Sequence, residues 1–345
     1  MQLKTPTWIQ LGTALAAWLG SVWPAGSQAP HPFTQTPREV LAFYYPWYGT
    51  AEKQGHTVHW GKIDAEQRDI SDSTHYPAQG AYDSHDPALV ERQITLAKTH
   101  GITGFIHSWW GQNRFEDQAL PIVLAAAGKE KFKVSVYWET APGKERAQID
   151  HAVNDLVYLL TKYGTNAAFL KVEGEPVIFV YGRVMGEVPE ASWPDIVSGA
   201  RAKAGDFLLI ADGYHEKYAL QFDGLHTYNI CGAVKGKSPE ALRAWAAKHY
   251  GEVVKLARDN HRISCVDVIP GYDDTKIRKP GLKVDRLDGQ VYGVLWHEAI
   301  KASPDWVLIT SWNEWHEGSE IEPSLEYGDK YLTLTKEYTA KFRPR

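Results

Sequence analysis

"WVLITSWNEWHEG" (residues 306–318) changes character at its midpoint. Its first half is an apolar run of strand-forming residues. Its second half sets two tryptophans and a histidine around Glu314 and Glu317. An apolar run without alternation suits a strand buried on both faces, as in a parallel sheet. Comparable runs occur at 40–46 ("VLAFYYP"), 104–109, 133–139, 176–182, 207–213, 224–229 and 265–271, which with 306–312 makes eight. Amphipathic stretches separate them. "DPALVERQITLAKTHG" (86–101) opens with an Asp cap and a first-turn Pro and stops at Gly101. Others lie near 117–128, 147–163, 190–204, 239–260, 289–302 and 326–341. The connection after 213 is short and predicts a brief helix. Eight strand–helix alternations predict an α/β fold, a (β/α)8 TIM barrel in a single domain with elaborated βα loops. A doubly wound open sheet is the alternative, but it carries a Gly-rich phosphate turn after an early strand, and "FYYPWYG" (43–49) is not one.

Composition narrows the function. The 345 residues carry a net charge of −5 with both signs dispersed, so no basic stripe for nucleic acid is present. The content of 14 Trp and 18 Tyr is high, and many sit beside polar residues at strand ends. Such rings suit a carbohydrate, whose C–H face packs on an aromatic ring, or another flat ligand; filling the core is the alternative. Cys231 and Cys265 form one disulfide or remain free thiols. Residues 1–29 read as a signal peptide, with Lys4, an apolar stretch and small residues at "AGSQA", followed by a catalytic domain over 30–345. This predicts a secreted or periplasmic protein without stable membrane insertion after cleavage. An uncleaved anchor is the alternative.

In a barrel, residues at the C-terminal ends of the strands face the active site. Here these ends supply Tyr44, Tyr45, Trp109, Trp110, Glu139, Tyr181, His226, Tyr228, Arg278, Trp312 and Trp315 as candidates for holding substrate. Glu314 and Glu317 are the candidate catalytic pair, since glycoside hydrolysis normally needs two carboxyl groups and residues three apart on a helical turn share a face. Aromatic walls and a neighbouring acid raise the pKa of one member. Arg278 could clamp a sugar hydroxyl or pair with a catalytic carboxylate. The long 47–86 segment is expected on the same face. A metal site is disfavoured, because "HEG" lacks the spacing of a zinc helix. Serine chemistry is disfavoured too: there is no GxSxG, and Ser108 and Ser311 read as packing or hydrogen-bonding residues.

The motifs "AFYYPWYG" (42–49), "GAYDSHDP" (80–87), "GITGFIHSWWG" (101–111), "GYDDTKIR" (271–278) and "TSWNEWHEGSEIEP" (310–323) resemble glycoside hydrolase family 99, the endo-α-mannosidases and endo-α-mannanases. The resemblance implies a (β/α)8 barrel that cuts internal α-mannosidic bonds with retention. A mannose-containing oligosaccharide or polysaccharide would be the substrate, with no cofactor or metal. It implies that Glu314 assists the substrate's own 2-hydroxyl in closing a 1,2-anhydro sugar, and that Glu317 is the general acid/base. It points to Tyr44 or Tyr45, Trp109 or Trp110, Glu139, Tyr228 and Arg278 as sugar neighbours. His226 stands where the family pattern leads one to expect an aromatic ring. Two other readings use the same residues: a non-catalytic glycan-binding barrel, and a polysaccharide-biosynthesis barrel of glycosyltransferase-like type.

Overall fold

The structure, a computed structural model, describes residues 36–343. The leader expected over 1–29 lies outside them. The eight sequence runs form β1 (Glu39–Tyr44), β2 (Gly104–Trp109), β3 (Lys133–Trp138), β4 (Glu175–Val180), β5 (Leu208–Asp212), β6 (Gly224–His226), β7 (Ile263–Val268) and β8 (Trp306–Ile309). All neighbours are parallel, and the ring closes through β1 and β8, where Val40 lies opposite Val307. The main helices between them are α1 (Pro87–Thr99), α2 (Phe115–Glu130), α3 (Glu145–Leu159), α4 (Trp193–Ala204), α5 (Glu216–Ala219), α6 (Pro239–Asp259), α7 (Gln290–Ala302) and α8 (Lys330–Phe342). This is the expected (β/α)8 barrel. As the short connection predicted, α5 is a single turn. None of the described helices is long and apolar enough to cross a membrane.

Local signals explain the helix limits. The Asp86 side chain accepts from Ala88 N at 2.9 Å, and Pro87 follows in the first turn. Gly101 then turns the chain at φ +88°, where a Cβ would come within 2.0 Å of Thr339 Oγ1 on α8.

Two cores flank the strands. Leu41, Phe43, Ile106, Phe179, Ile210, Cys265 and Leu308 fill the barrel interior. Val40, Ala42, Phe105, Val136, Ile178, Val266 and Ile309 pack outward against the helices. Strand side chains alternate between these layers. That alternation decides which strand-end residues reach the site. Cys231 and Cys265 are free, buried thiols.

Candidate active site

Glu314 and Glu317 lie on the loop after β8. The chain leaves the strand through Thr310 and Ser311 and forms one 3-10 turn, Trp315–Glu317, with Glu314 at its N-cap and Gly318 closing it at φ +54°. The Glu314 carboxylate accepts from His316 N at 3.2 Å, and its own amide donates to Ser311 Oγ at 2.7 Å. Glu314 is buried. Burial, and then the Glu317 carboxyl, hold its pKa well above the usual carboxylate range.

Glu317 sits nearer solvent, with 14% of its side chain exposed. Tyr228 OH donates to its Oε2 at 3.1 Å, and Arg278 Nη2 donates to its Oε1 at 3.0 Å. Arg278 is itself fixed, donating from Nη1 to Tyr272 OH at 2.8 Å and to Asp274 Oδ2 at 2.6 Å. One member of the pair is therefore enclosed, and the other is held at the rim by a cation and a phenol.

The third acid is Glu139, just beyond β3. Ser108 Oγ donates to it at 2.7 Å, and burial pushes its pKa up to about 8, with Arg183 opposing the rise. Tyr45 faces Glu139, Glu314 and Glu317 together. Tyr181 faces Glu139 and Glu317, and burial pushes its phenol up to about 12. The ring of Trp110 continues this wall, with the Arg183 guanidinium 4.8 Å from its centroid and Trp47 6.3 Å away. Acids, phenols and exposed indole edges converging on one barrel mouth suit a glycosidic bond, whose cleavage needs proton donation, proton removal and flat surfaces for sugar rings.

Residues 37–339 match the sequence profile of Glycosyl hydrolase family 99. The chain belongs to that family. It is a glycoside hydrolase. A rat glycoprotein endo-α-1,2-mannosidase is 26% identical over 357 residues, covering 88% of this chain and 74% of the rat protein. A human glycoprotein endo-α-1,2-mannosidase-like protein is 28% identical over 327 residues, covering 83% of this chain and 69% of its own length. The solved family 99 endo-α-mannosidase from Bacteroides thetaiotaomicron superposes with a TM-score of 0.74 at 25% identity, covering 88% of this chain and 97% of that one. A Pseudomonas stutzeri endoglucanase, at 12% identity and a TM-score of 0.51, shares the fold alone.

The family 99 mouth in this chain brings together Tyr45, Trp110, Glu139, Tyr181, Tyr228 and Arg278 around the acid pair. It does not bring Tyr44, Trp109 or Trp312. Tyr44 points outward, stacked on Phe105 at 4.6 Å and donating to Gln93 of α1 at 2.8 Å. Trp109 donates to Asp117 of α2 at 2.8 Å. Trp312 packs 5.2 Å from Phe105 in the same outer layer. For Tyr44 and Trp109 strand alternation puts the ring on the helix side; Trp312 follows the end of β8 and reaches that layer from the loop. Trp315 is fully buried beneath the loop, with Nε1 donating to Tyr82 OH at 2.9 Å. His226 lies in the barrel interior with Nε2 3.4 Å from Tyr137 OH, and burial lowers its pKa to about 3. It is neutral and enclosed, so it supports the floor of the site.

The 47–86 segment clasps the acid loop from the outside. Asn313 accepts from Tyr45 N at 2.8 Å and donates to Tyr45 O at 3.0 Å and Tyr82 OH at 3.1 Å. Tyr82 OH donates onward to Glu322 at 2.8 Å, and burial pushes that carboxyl up to about 7. His59 and His316 meet tilted at the edge with centroids 4.6 Å apart, and burial lowers both, to about 3 and about 4. Sequence reading passed over Tyr272 and Asp274 as holders of Arg278. The spacing of Asp274 and Arg278, four apart in "GYDDTKIR", was the available signal.

Proposed function

We propose that this glycoside hydrolase cuts internal α-mannosidic linkages of mannose-containing glycans with retention, through participation of the substrate's 2-hydroxyl. The observation that carries the reading is the asymmetry of the acid pair. An enclosed carboxylate with a raised pKa is a strong base in a water-poor site, which suits removal of a proton from an alcohol. A second carboxyl at the rim, steered by Arg278 and Tyr228, suits the glycosidic oxygen. The rat and Bacteroides relatives, both endo-α-mannosidases, support mannose as the sugar.

In the first step the 2-hydroxyl proton passes to Glu314 and O2 attacks C1. The bond from C1 to the leaving oxygen breaks, and Glu317 supplies that oxygen's proton. In the second step water attacks C1 and gives a proton to Glu317. The C1–O2 bond opens, and O2 recovers its proton from Glu314. Two inversions at C1 return the original configuration, and both acids end as they began. Tyr45, Tyr181 and Trp110 would line the sugar, and Glu139 would accept a hydroxyl hydrogen bond. Export directed by residues 1–29 belongs to the same proposal, and N-terminal sequencing of the mature protein tests it: an intact Met1 start counts against cleavage.

A substrate with fluorine in place of the 2-hydroxyl and an activated aryl leaving group tests the chemistry. The expected result is neither aryl release nor any adduct by intact mass. A glycosyl adduct on Glu314 would overturn the 2-hydroxyl route in favour of direct carboxylate attack.

A further inference from the structure

Beneath the acid pair, on β7, lies a carboxyl that the proposed chemistry does not use. Asp267 is fully buried inside the barrel. Its Oδ1 lies 3.0 Å from Thr310 Oγ1, and its Oδ2 has no hydrogen-bond partner among the described residues. The same Thr310 hydroxyl lies 2.7 Å from the carbonyl oxygen of Tyr228.

A threonine hydroxyl has one proton to give, and a carbonyl can only accept. If Thr310 donates to the shorter contact, the Tyr228 carbonyl, an ionised Asp267 is left with the Val268 amide and faces the Thr310 oxygen with no proton between them. If it donates to Asp267, two oxygen lone pairs face each other at 2.7 Å. A proton on Asp267 resolves both contacts. The groups around Asp267 point the same way. They are the Asp212 carboxyl at the end of β5, the Tyr214 phenol, the Cys231 thiol, Tyr250 of α6 and Tyr292 of α7. None is a cation, and of the polar contacts only Thr310 and the Val268 amide favour the anion.

We propose that Asp267 is a positioning residue that works as a neutral acid, donating to Thr310 so that Thr310 can donate to the Tyr228 carbonyl and hold Tyr228 against Glu317. Burial is consistent with this, since it raises the Asp267 pKa well above the usual range with no cation among the described groups named around it to oppose the rise. The chain Asp267–Thr310–Tyr228 joins the ends of β7, β8 and β6. Thr310 also precedes Ser311, whose hydroxyl accepts from the Glu314 amide. One buried proton therefore fastens the tyrosine beside Glu317 and the start of the loop that carries Glu314.

Two measurements test this. The infrared difference spectrum of wild type against Asp267→Asn at pH 7 should show loss of one protonated carboxylic-acid carbonyl band. Loss of carboxylate bands instead would overturn the proposal. Asn keeps a donor toward Thr310, so Asp267→Asn should retain turnover within about threefold, while Asp267→Leu and Thr310→Val lose about tenfold in kcat with KM little changed. Asp267→Asn falling as far as Asp267→Leu would overturn it. Where Asp267→Leu does not fold, Thr310→Val and the infrared arm decide. The activity arm rests on Glu317 acting as the general acid/base, whereas the infrared arm needs no substrate. Failure of the proposed reaction would therefore leave the band assignment standing.

Discussion

Arg278 Nη2 lies 3.0 Å from Glu317 Oε1, and the other end of the same guanidinium is tied to Asp274 and Tyr272. The planar fork joins one rim carboxylate to a rigid support. A lysine ammonium cannot span both. Arg278→Lys should therefore reduce kcat/KM by about ten- to a hundredfold on a glycan substrate, with the melting temperature little changed. Steady-state kinetics beside a thermal melt checks it. Retention of near-normal kcat/KM would mean that the fork does not orient Glu317.

The raised pKa of Glu314 has burial as its first cause and Glu317 as its second. Glu314 must be ionised to accept a proton, so activity falls as pH drops through its pKa. Glu317→Gln removes the second cause and lowers that pKa. The acid limb of aryl release should then move to lower pH in Glu317→Gln, measured in a single turnover with a leaving group that needs no protonation. A limb that stays in place or moves up contradicts the coupling of the two acids.

Glu139 has a folded pKa raised to about 8 from an ordinary 4.5, first by burial. Between those values the folded state binds more protons than the unfolded state. Stability is therefore fully present below about pH 4.5 and is lost as pH rises through about 8. Glu139→Gln cannot ionise and keeps an oxygen to accept from Ser108. Its advantage over wild type should be absent near pH 4 and reach on the order of a few kcal/mol above pH 8. Denaturant titrations at both pH values check this. Equal stability of the two proteins at pH 9 would mean that the site is far better solvated than the structure indicates.

Asn313 uses both ends of its amide, accepting from Tyr45 N and donating to Tyr45 O and Tyr82 OH. Asn313→Asp would have no donor and would bury a charge among partners set for a neutral group. The expected cost is about 3–5 kcal/mol, read as a lower denaturation midpoint. A change below about 1 kcal/mol would show that the clasp of Tyr45 and Tyr82 on the acid loop contributes little.

The barrel was legible because a parallel strand buried on both faces leaves a continuous apolar run, and eight such runs are hard to miss. The same property hid which strand-end residue faces the mouth. Val40 and Ala42 pack outward while Leu41 and Phe43 pack inward, and all four are apolar, so no alternation marks the inner face. Tyr44 and Tyr45 therefore look equivalent in sequence, as do Trp109 and Trp110. Only the strand register separates them. Ser108 and Ser311 were readable only as packing or hydrogen-bonding residues, and their partners, Glu139 and the Glu314 amide, were not. The role of Thr310 and Asp267 was not legible, because it depends on three strands meeting and on which oxygen carries one proton.

The measurement that bears most directly on the central reading is digestion of a panel of mannose-containing glycans with product sizing, wild type beside Glu317→Gln. Wild type should release saccharides of two or more residues from internal sites, with the α-configuration retained at the new end. Glu317→Gln should lose about 10²–10⁴-fold in rate on the same glycans. Release of single mannose units from chain ends, or near-normal turnover by Glu317→Gln, would contradict it.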